Sequence, residues 1–396
     1  MRPARCFWII TSLLLLFGPG TVEHGSGPTL AVASGGKAAN FNGQAVKWAG
    51  WTFNWQIRPR EGLTLTDITF QGRSVLKFTS LQEIFVPYNR GEPRPEDFGT
   101  GIARRLQPLI PGKDCTPGGT CQAYNAQGKE EGKRVVMIHE ESTGLSYLGP
   151  RGRAYGKMLT VWCAYDMDGY FYICRWRFHD DGCLEPQIGL TGPLQFVDTG
   201  KASPYGSQVA KDNVFAPSHV HNFYFCLDFD IDGPDNNVVE EFNYQQDRPG
   251  SVSGKHSWTP IVKESSRPAS SANFRFWRVV NKQSKNAVGL PRSYELLPGG
   301  NGVFRGAAAE KFAQAELWVT RYHDNEYSKE TRPLSTALPN YLNDESVDGE
   351  NVVVWYALHV HHIPRTEDWP SMPVEWVGFT LRPRDFLDTS PVQPAP

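Results

Sequence analysis

The sequence predicts an all-β protein built of antiparallel sheet, and three observations carry that expectation. Short runs rich in β-branched and aromatic residues, at 51–57, 63–70 and 74–78, are separated by Gly, Pro, Asn and Asp. Helical periodicity is nearly absent, with only 307–316 (AAAEKFAQAE) spaced for a helix. The chain is also rich in turn formers, with 38 Gly and 30 Pro among 396 residues. That length suits one large all-β domain or two smaller ones, and no low-complexity linker divides it.

Taken from its start, the chain opens with Arg2 and Arg5, followed by an apolar run at 7–17 (FWIITSLLLLF) too short to span a bilayer. This pattern predicts a secretory signal over 1–33, cut after Ala31-Val32-Ala33 or earlier near Gly18 to Gly20, and so a secreted protein. A net charge of -2 and a pI near 6.6 leave no electrostatic footprint for nucleic acid or anionic membrane, and no stable membrane insertion is expected. Beyond Cys6, the cysteines Cys115 and Cys121 flank a Pro-Gly-Gly turn that can bring them together as a disulfide in an oxidising compartment. Cys163, Cys174, Cys183 and Cys226 sit in strand-like apolar runs and read as buried thiols.

Two polar stretches, 243–273 and 323–350, exceed ordinary loops and read as partner-contacting arms or surface segments. Familiar catalytic signatures fail. His139-Glu140 lacks the second histidine of a zincin helix, Gly99-Thr100-Gly101 lacks the third glycine of a dinucleotide loop, and no Gly-x-Ser-x-Gly elbow occurs.

The most informative stretch is 219–232 (HVHNFYFCLDFDID). In a strand, alternate side chains share a face, so His219, His221, Phe223, Phe225, Leu227, Phe229 and Ile231 fall together, opposite Asp228, Asp230 and Asp232. Two imidazoles on one apolar face can converge on a metal, and they read equally well as core histidines hydrogen-bonded to backbone. The carboxylates could form a second, oxygen-rich cation site. Near the end of the chain, 351–362 alternates so that Val352, Val354, Tyr356, Leu358, Val360 and His362 share a face, with His359 and His361 on the other.

These motifs together resemble the copper-containing amine oxidases that carry topaquinone. The likeness rests on Val86-Pro87-Tyr88, Gly169-Tyr170-Phe171-Tyr172, His219-Val220-His221, Asp228-Phe229-Asp230-Ile231-Asp232-Gly233, and His362-Ile363-Pro364-Arg365 running to Glu367-Asp368-Trp369-Pro370-Ser371-Met372-Pro373. The resemblance implies a large antiparallel β-sandwich over 34–396, without the family's small N-terminal domains. It places copper(II) on His219, His221 and His362, topaquinone formed from Tyr170, and a supporting hydrogen bond to it from Tyr88. It also implies a calcium or manganese site at Asp228, the carbonyl of Phe229, Asp230 and the Asn351-Val352 segment. Met137 stands where the family's partner for Cys115 would be, which favours Cys115 with Cys121.

The activity implied is oxidation of primary amines by oxygen to aldehyde, ammonia and hydrogen peroxide. No ordinary side chain is an electron sink, so a quinone must be one. The base that takes the α-carbon proton would be a carboxylate in an apolar pocket, and Asp97, in Asp97-Phe98-Gly99, matches it. A symmetric homodimer is expected, with the polar stretches as its arms. Gly169 and Phe171 depart from the family's Asn and acidic residue around the processed tyrosine. They support the alternative of a degenerate copper-binding relative without amine oxidase activity.

Overall fold

Why these residues form a sandwich is visible in the strand Tyr170–His179, where buried and partly exposed side chains alternate along its whole length. Tyr170, Tyr172, Cys174, Trp176 and Phe178 all point into one apolar core, and Phe171, Ile173, Arg175 and Arg177 point away from it. The computed structural model describes residues 40–42, 44–91, 94–99, 101–115, 121–150, 152–200, 202–326 and 333–392. The expected signal segment 1–33 and the domain start at 34 lie outside the described residues.

Two large antiparallel sheets enclose the main core. In the ten-stranded sheet, Gly62–Phe70, Arg73–Pro87, His219–Phe229, Val352–His362 and Leu317–Arg321 lie side by side. In the eleven-stranded sheet, Leu184–Gly192, Tyr170–His179, Gly152–Met167 and Val136–Gly149 run in that order, with Met372–Gly378 paired to the first. Facing side chains from both sheets fill the space between them, as in a sandwich.

His219–Phe229 and Val352–His362 are central strands buried on both faces. Phe223, Phe225 and Leu227 join the inter-sheet core together with Val354, Tyr356 and Leu358. Tyr224 and Cys226 pack instead with Val353, Trp355 and Ala357 in a second cluster behind the sheet. The alternation expected for both stretches therefore holds. The first strand ends at Phe229, and Asp232 sits in a turn at φ 52°, so it does not continue the carboxylate face.

One sequence expectation changes. Only Lys311–Gln314 forms a helical turn within 307–316, because the segment's polar groups bind its own loop backbone. The Gln314 amide donates to the carbonyls of Arg305 and Glu310, and Glu310 accepts from the Ala307 N–H. Overlapping the polar stretch 243–273, Asn237–Gln246 pairs with Gly254–Ile261 as a hairpin at the edge of the eleven-stranded sheet. The Cys115–Cys121 disulfide is formed. Among the described residues the other cysteines are free, with Cys163, Cys174 and Cys226 buried and Cys183 partly so.

Candidate metal centre

Antiparallel pairing sets His219 directly opposite His362, and two residues further along the first strand His221 faces Val360. Two side chains from one strand and one from its neighbour thus meet on the inner face. One nitrogen from each lies within 4.8 Å of the others, and all three residues are buried. His361 points outward and His359 lies on the opposite face, hydrogen-bonded through Nδ1 to Asn222 Oδ1 at 2.6 Å.

The second nitrogen of each ring is held. His219 Nδ1 donates to the Pro217 carbonyl at 3.1 Å. His221 Nδ1 meets the Tyr172 hydroxyl at 3.0 Å. His362 Nε2 donates to Asp368 Oδ2 at 3.1 Å. These partners fix the tautomers of His219 and His362, so that His219 Nε2 and His362 Nδ1 face each other with lone pairs at 3.2 Å. Two lone pairs at that distance repel unless a cation lies between them. Two nitrogens bound at about 2.0 Å to one ion at a near-tetrahedral angle would stand roughly 3.3 Å apart. His221 Nε2 is buried and has no hydrogen-bond partner. An unsatisfied buried acceptor beside two opposed lone pairs fits a metal ion, and three neutral imidazoles suit copper(II).

The electrostatics agree with ligand duty. Burial, reinforced by His362, pulls His219 down to about 3. Burial, followed by His219 and His362, holds His221 well below the ordinary histidine range. Both rings are therefore neutral near pH 7 and need lose no proton to bind metal. Burial opposes ionisation of Asp368, but hydrogen bonds from His362 and Arg365 outweigh it and hold the carboxyl below its usual value. The Arg365 backbone N–H donates to Asp368 Oδ2 at 3.0 Å and its Nε to Oδ1 at 3.2 Å, so the turn Thr366–Asp368 locks the carboxylate under His362.

Three tyrosines surround the trio. Tyr88 is bridged through its backbone to His219, and their rings lie 4.6 Å apart. Tyr170 stacks on His221 with ring centroids 5.5 Å apart, and its hydroxyl donates to Met372 Sδ at 3.2 Å. Burial, then Glu375 and Asp368, pushes the Tyr170 phenol up and keeps it protonated. Tyr172 is committed to the nitrogen of His221 that faces away from the shared point, which makes it a support for the ligand.

Gly169 has a local cause. Asp168 and Gly169 form the two-residue turn between Gly152–Met167 and Tyr170–His179, with φ of 58° and 96°. Both positions of this turn type need positive φ, which glycine adopts without penalty. Phe171 lies on the face turned away from the histidines. The Phe171 departure therefore removes no group from the metal side. Asp97 is brought close by its strand: Glu96–Gly99 pairs with Arg73–Pro87 so that Asp97 stands opposite Val86, two residues before Tyr88. Its side chain lies outside the described residues.

Asp228, Asp230 and Asn351, the residues expected at a second cation site, line a separate cavity of about 590 Å³. Asp67 and Asp324 also line it and were not expected from sequence. Asp230 accepts from Ser74 Oγ at 2.7 Å, and burial raises its pKa. The side chains of Phe229 and Val352 belong to the inter-sheet core, which leaves their carbonyls as the groups that could contribute. The sequence reading also assigned no role to Asp368 or Met372. Both lie in the segment that follows His362, and only the fold shows that it turns back beneath that histidine.

Comparison with known proteins agrees with this geometry. The chain is 28% identical over 397 aligned residues to a primary amine oxidase of Arthrobacter sp. (strain P1), covering 90% of this chain and 61% of that protein. It is 32% identical to a histamine oxidase of Arthrobacter globiformis, covering 91% and 58%. A solved copper-containing benzylamine oxidase from Hansenula polymorpha superposes with a TM-score of 0.78 at 27% identity, covering 90% of this chain and 62% of that one. The chain therefore spans less than two thirds of the length of these relatives. Residues 40–396 match the family described as copper amine oxidase, enzyme domain, and the chain belongs to that family.

Proposed function

We propose that this chain is a copper- and topaquinone-dependent oxidase of primary amines, which turns amine and oxygen into aldehyde, ammonia and hydrogen peroxide. The observation that carries the reading is the convergence of three buried imidazoles whose outer nitrogens are fixed by Pro217, Tyr172 and Asp368. His219, His221 and His362 would hold the copper. Tyr170 would be the residue converted to the quinone, because among the described residues its hydroxyl is engaged by a thioether, a weak acceptor. The quinone supplies an electron sink that no ordinary side chain offers.

The other residues would orient groups and move protons. Tyr88, buried beside His219, would hold the cofactor ring through its hydroxyl. Asp97 would take the proton from the α-carbon of the bound amine, a role worth about a hundredfold to ten-thousandfold. The apolar walls of Phe223 and Tyr172 keep bulk water from the reacting atoms. In the separate cavity, Asp228, Asp230, Asn351 and the carbonyls of Phe229 and Val352 would take calcium or manganese. The protein would be secreted and act as a homodimer, with the edge hairpin around 243–261 as an arm.

The test is amine-dependent release of peroxide by copper-loaded protein. Asp97→Asn should lose most turnover yet still react with phenylhydrazine. Wild-type protein that binds copper, reacts with phenylhydrazine and releases no peroxide with any primary amine would refute the oxidase reading.

A further inference from the structure

Tyr88 and Tyr170, the two rings proposed to flank the reacting amine, are almost sealed from solvent, at 1% and 2% exposure. Entry of an amine therefore requires a covering group to move. The loop 193–197, between Leu184–Gly192 and Asp198–Thr199, is tied to both sides of the site. Gln195 Nε2 donates to the Asp168 carbonyl at 3.2 Å, in the tight turn that leads into Tyr170. The next residue, Phe196, sets its ring edge-on to Tyr88 with centroids 4.6 Å apart. Tyr88 thus meets a metal ligand through His219 and this loop through Phe196, and Phe196 itself is only partly buried.

Two observations show that Phe196 is held in this place by its surroundings. Its backbone has φ 55°, a left-handed conformation uncommon for a bulky residue and kept only where neighbouring structure imposes it. The Arg90 guanidinium lies over its ring, 5.9 Å from the centroid, and Arg90 Nη2 donates to Asp198 Oδ1 at 2.6 Å. Arg90 follows Tyr88 by two residues and Asp198 follows Phe196 by two, so the ring pair and the ion pair are two links between the same two segments. Asp198 is anchored in turn by pairing with Phe215, on the strand Val214–Pro217 that runs toward His219.

Each of these links is weak enough to break when a ligand enters. An edge-on aromatic pair and a cation over a ring at a part-exposed site together correspond to roughly fivefold to seventyfold in rate when both are lost. The ion pair, exposed on both sides, adds little and is screened by salt.

We propose that Phe196 determines which amines reach Tyr170. Short unbranched alkylamines need only a small swing of its ring, whereas arylamines require the ring to leave Tyr88, so the native chain favours the former. The substrate class named here rests on the oxidase reading, and the covering of Tyr88 by Phe196 stands without it.

The test mixes the copper-loaded full chain with phenylhydrazine or methylhydrazine and follows adduct formation by absorption. Phe196→Ala should speed the phenylhydrazine reaction at least about fivefold and the methylhydrazine reaction less than about twofold. Phe196→Trp should slow phenylhydrazine instead, and Arg90→Gln should speed it about twofold. Nitration of Tyr88 by tetranitromethane, located by peptide mass spectrometry, reads the same opening without any quinone. It should rise at least about fivefold in Phe196→Ala, while Tyr224, buried in the cluster behind the ten-stranded sheet, nitrates as in the wild type. Equal acceleration of the two hydrazines, or Tyr88 nitrated no faster in Phe196→Ala, would overturn the proposal. A rise at Tyr224 as large as that at Tyr88 would mark general loosening and overturn it equally. Wild-type protein that forms no adduct even with methylhydrazine would contradict the quinone, and nitration of Tyr88 would then decide on Phe196 alone.

Discussion

Replacing Asp368 by Asn leaves shape nearly constant and removes one charge from beneath His362. In the native chain Asp368 Oδ2 accepts from His362 Nε2 at 3.1 Å and from the Arg365 N–H at 3.0 Å, and the residue is 1% exposed. A hydrogen bond to an ionised acceptor contributes about 1.5–3 kcal/mol, against about 0.5–1.5 for a neutral one. The difference, about 1–2 kcal/mol, corresponds to a loss of roughly tenfold in copper affinity, within the range known for groups that orient metal ligands. Copper affinity by competition against a chromophoric chelator at pH 7 is the assay, with Glu367→Gln as the exposed neighbour that should change nothing. The sign with pH follows from the depressed Asp368 carboxyl. Its contribution is present above the ordinary value of 3.8 and is lost as pH falls through the lower folded value, so the Asn variant should differ least from wild type in acid. Equal affinities for Asp368→Asn and wild type at pH 7, or equal losses for Asp368→Asn and Glu367→Gln, would refute the reasoning.

Copper content by atomic absorption should fall to near zero in His362→Ala and stay near one per chain in His361→Ala, since only the former faces the other two ligands. Behind the sheet, His359 is depressed from 6.5 to about 4, by burial more than Glu316 can offset. The unfolded chain therefore binds a proton that the folded chain does not between those values, and stability should fall as pH drops from 6.5 toward 4. His359→Gln should flatten that slope in thermal melts, and an unchanged slope would count against the assignment. Phe223→Ala should cost about 3–5 kcal/mol in denaturant unfolding, as its ring packs in the core against Tyr172. Light scattering at micromolar concentration should report a dimer, and a monomer there would exclude the arm-exchanged assembly.

The three ligands were legible because strand periodicity is a local rule. His219 and His221 share a face whatever their neighbours, and His362 shares one with Val360 and Leu358. What periodicity cannot supply is which strands pair, and so the meeting of His219 with His362 across 143 residues needed the family likeness or the fold. The role of Asp368 was hidden for a similar reason, because a six-residue excursion through a turn decides whether a carboxylate returns to its histidine. Gly169 is readable by a local rule too: Asp168-Gly169 between two apolar runs is a strong signal for a tight hairpin, whose second position favours glycine. The helix expected at 307–316 misled because alanine-rich propensity is weak over a short span, and Glu310 and Gln314 found better partners in the adjoining loop. Asp67 and Asp324 reach the Asp228 cavity only through tertiary packing.

Tyr170 lies against His221, beside the point where His219, His221 and His362 would hold copper. Metal-free protein given copper in air and followed by visible absorption tests this directly. The wild type should develop a quinone band, while Tyr170→Phe should bind copper with the same stoichiometry and stay colourless, and Tyr172→Phe should colour with weakened copper binding. Wild-type protein that takes up copper and never colours, or a Tyr170→Phe variant that colours, would contradict it.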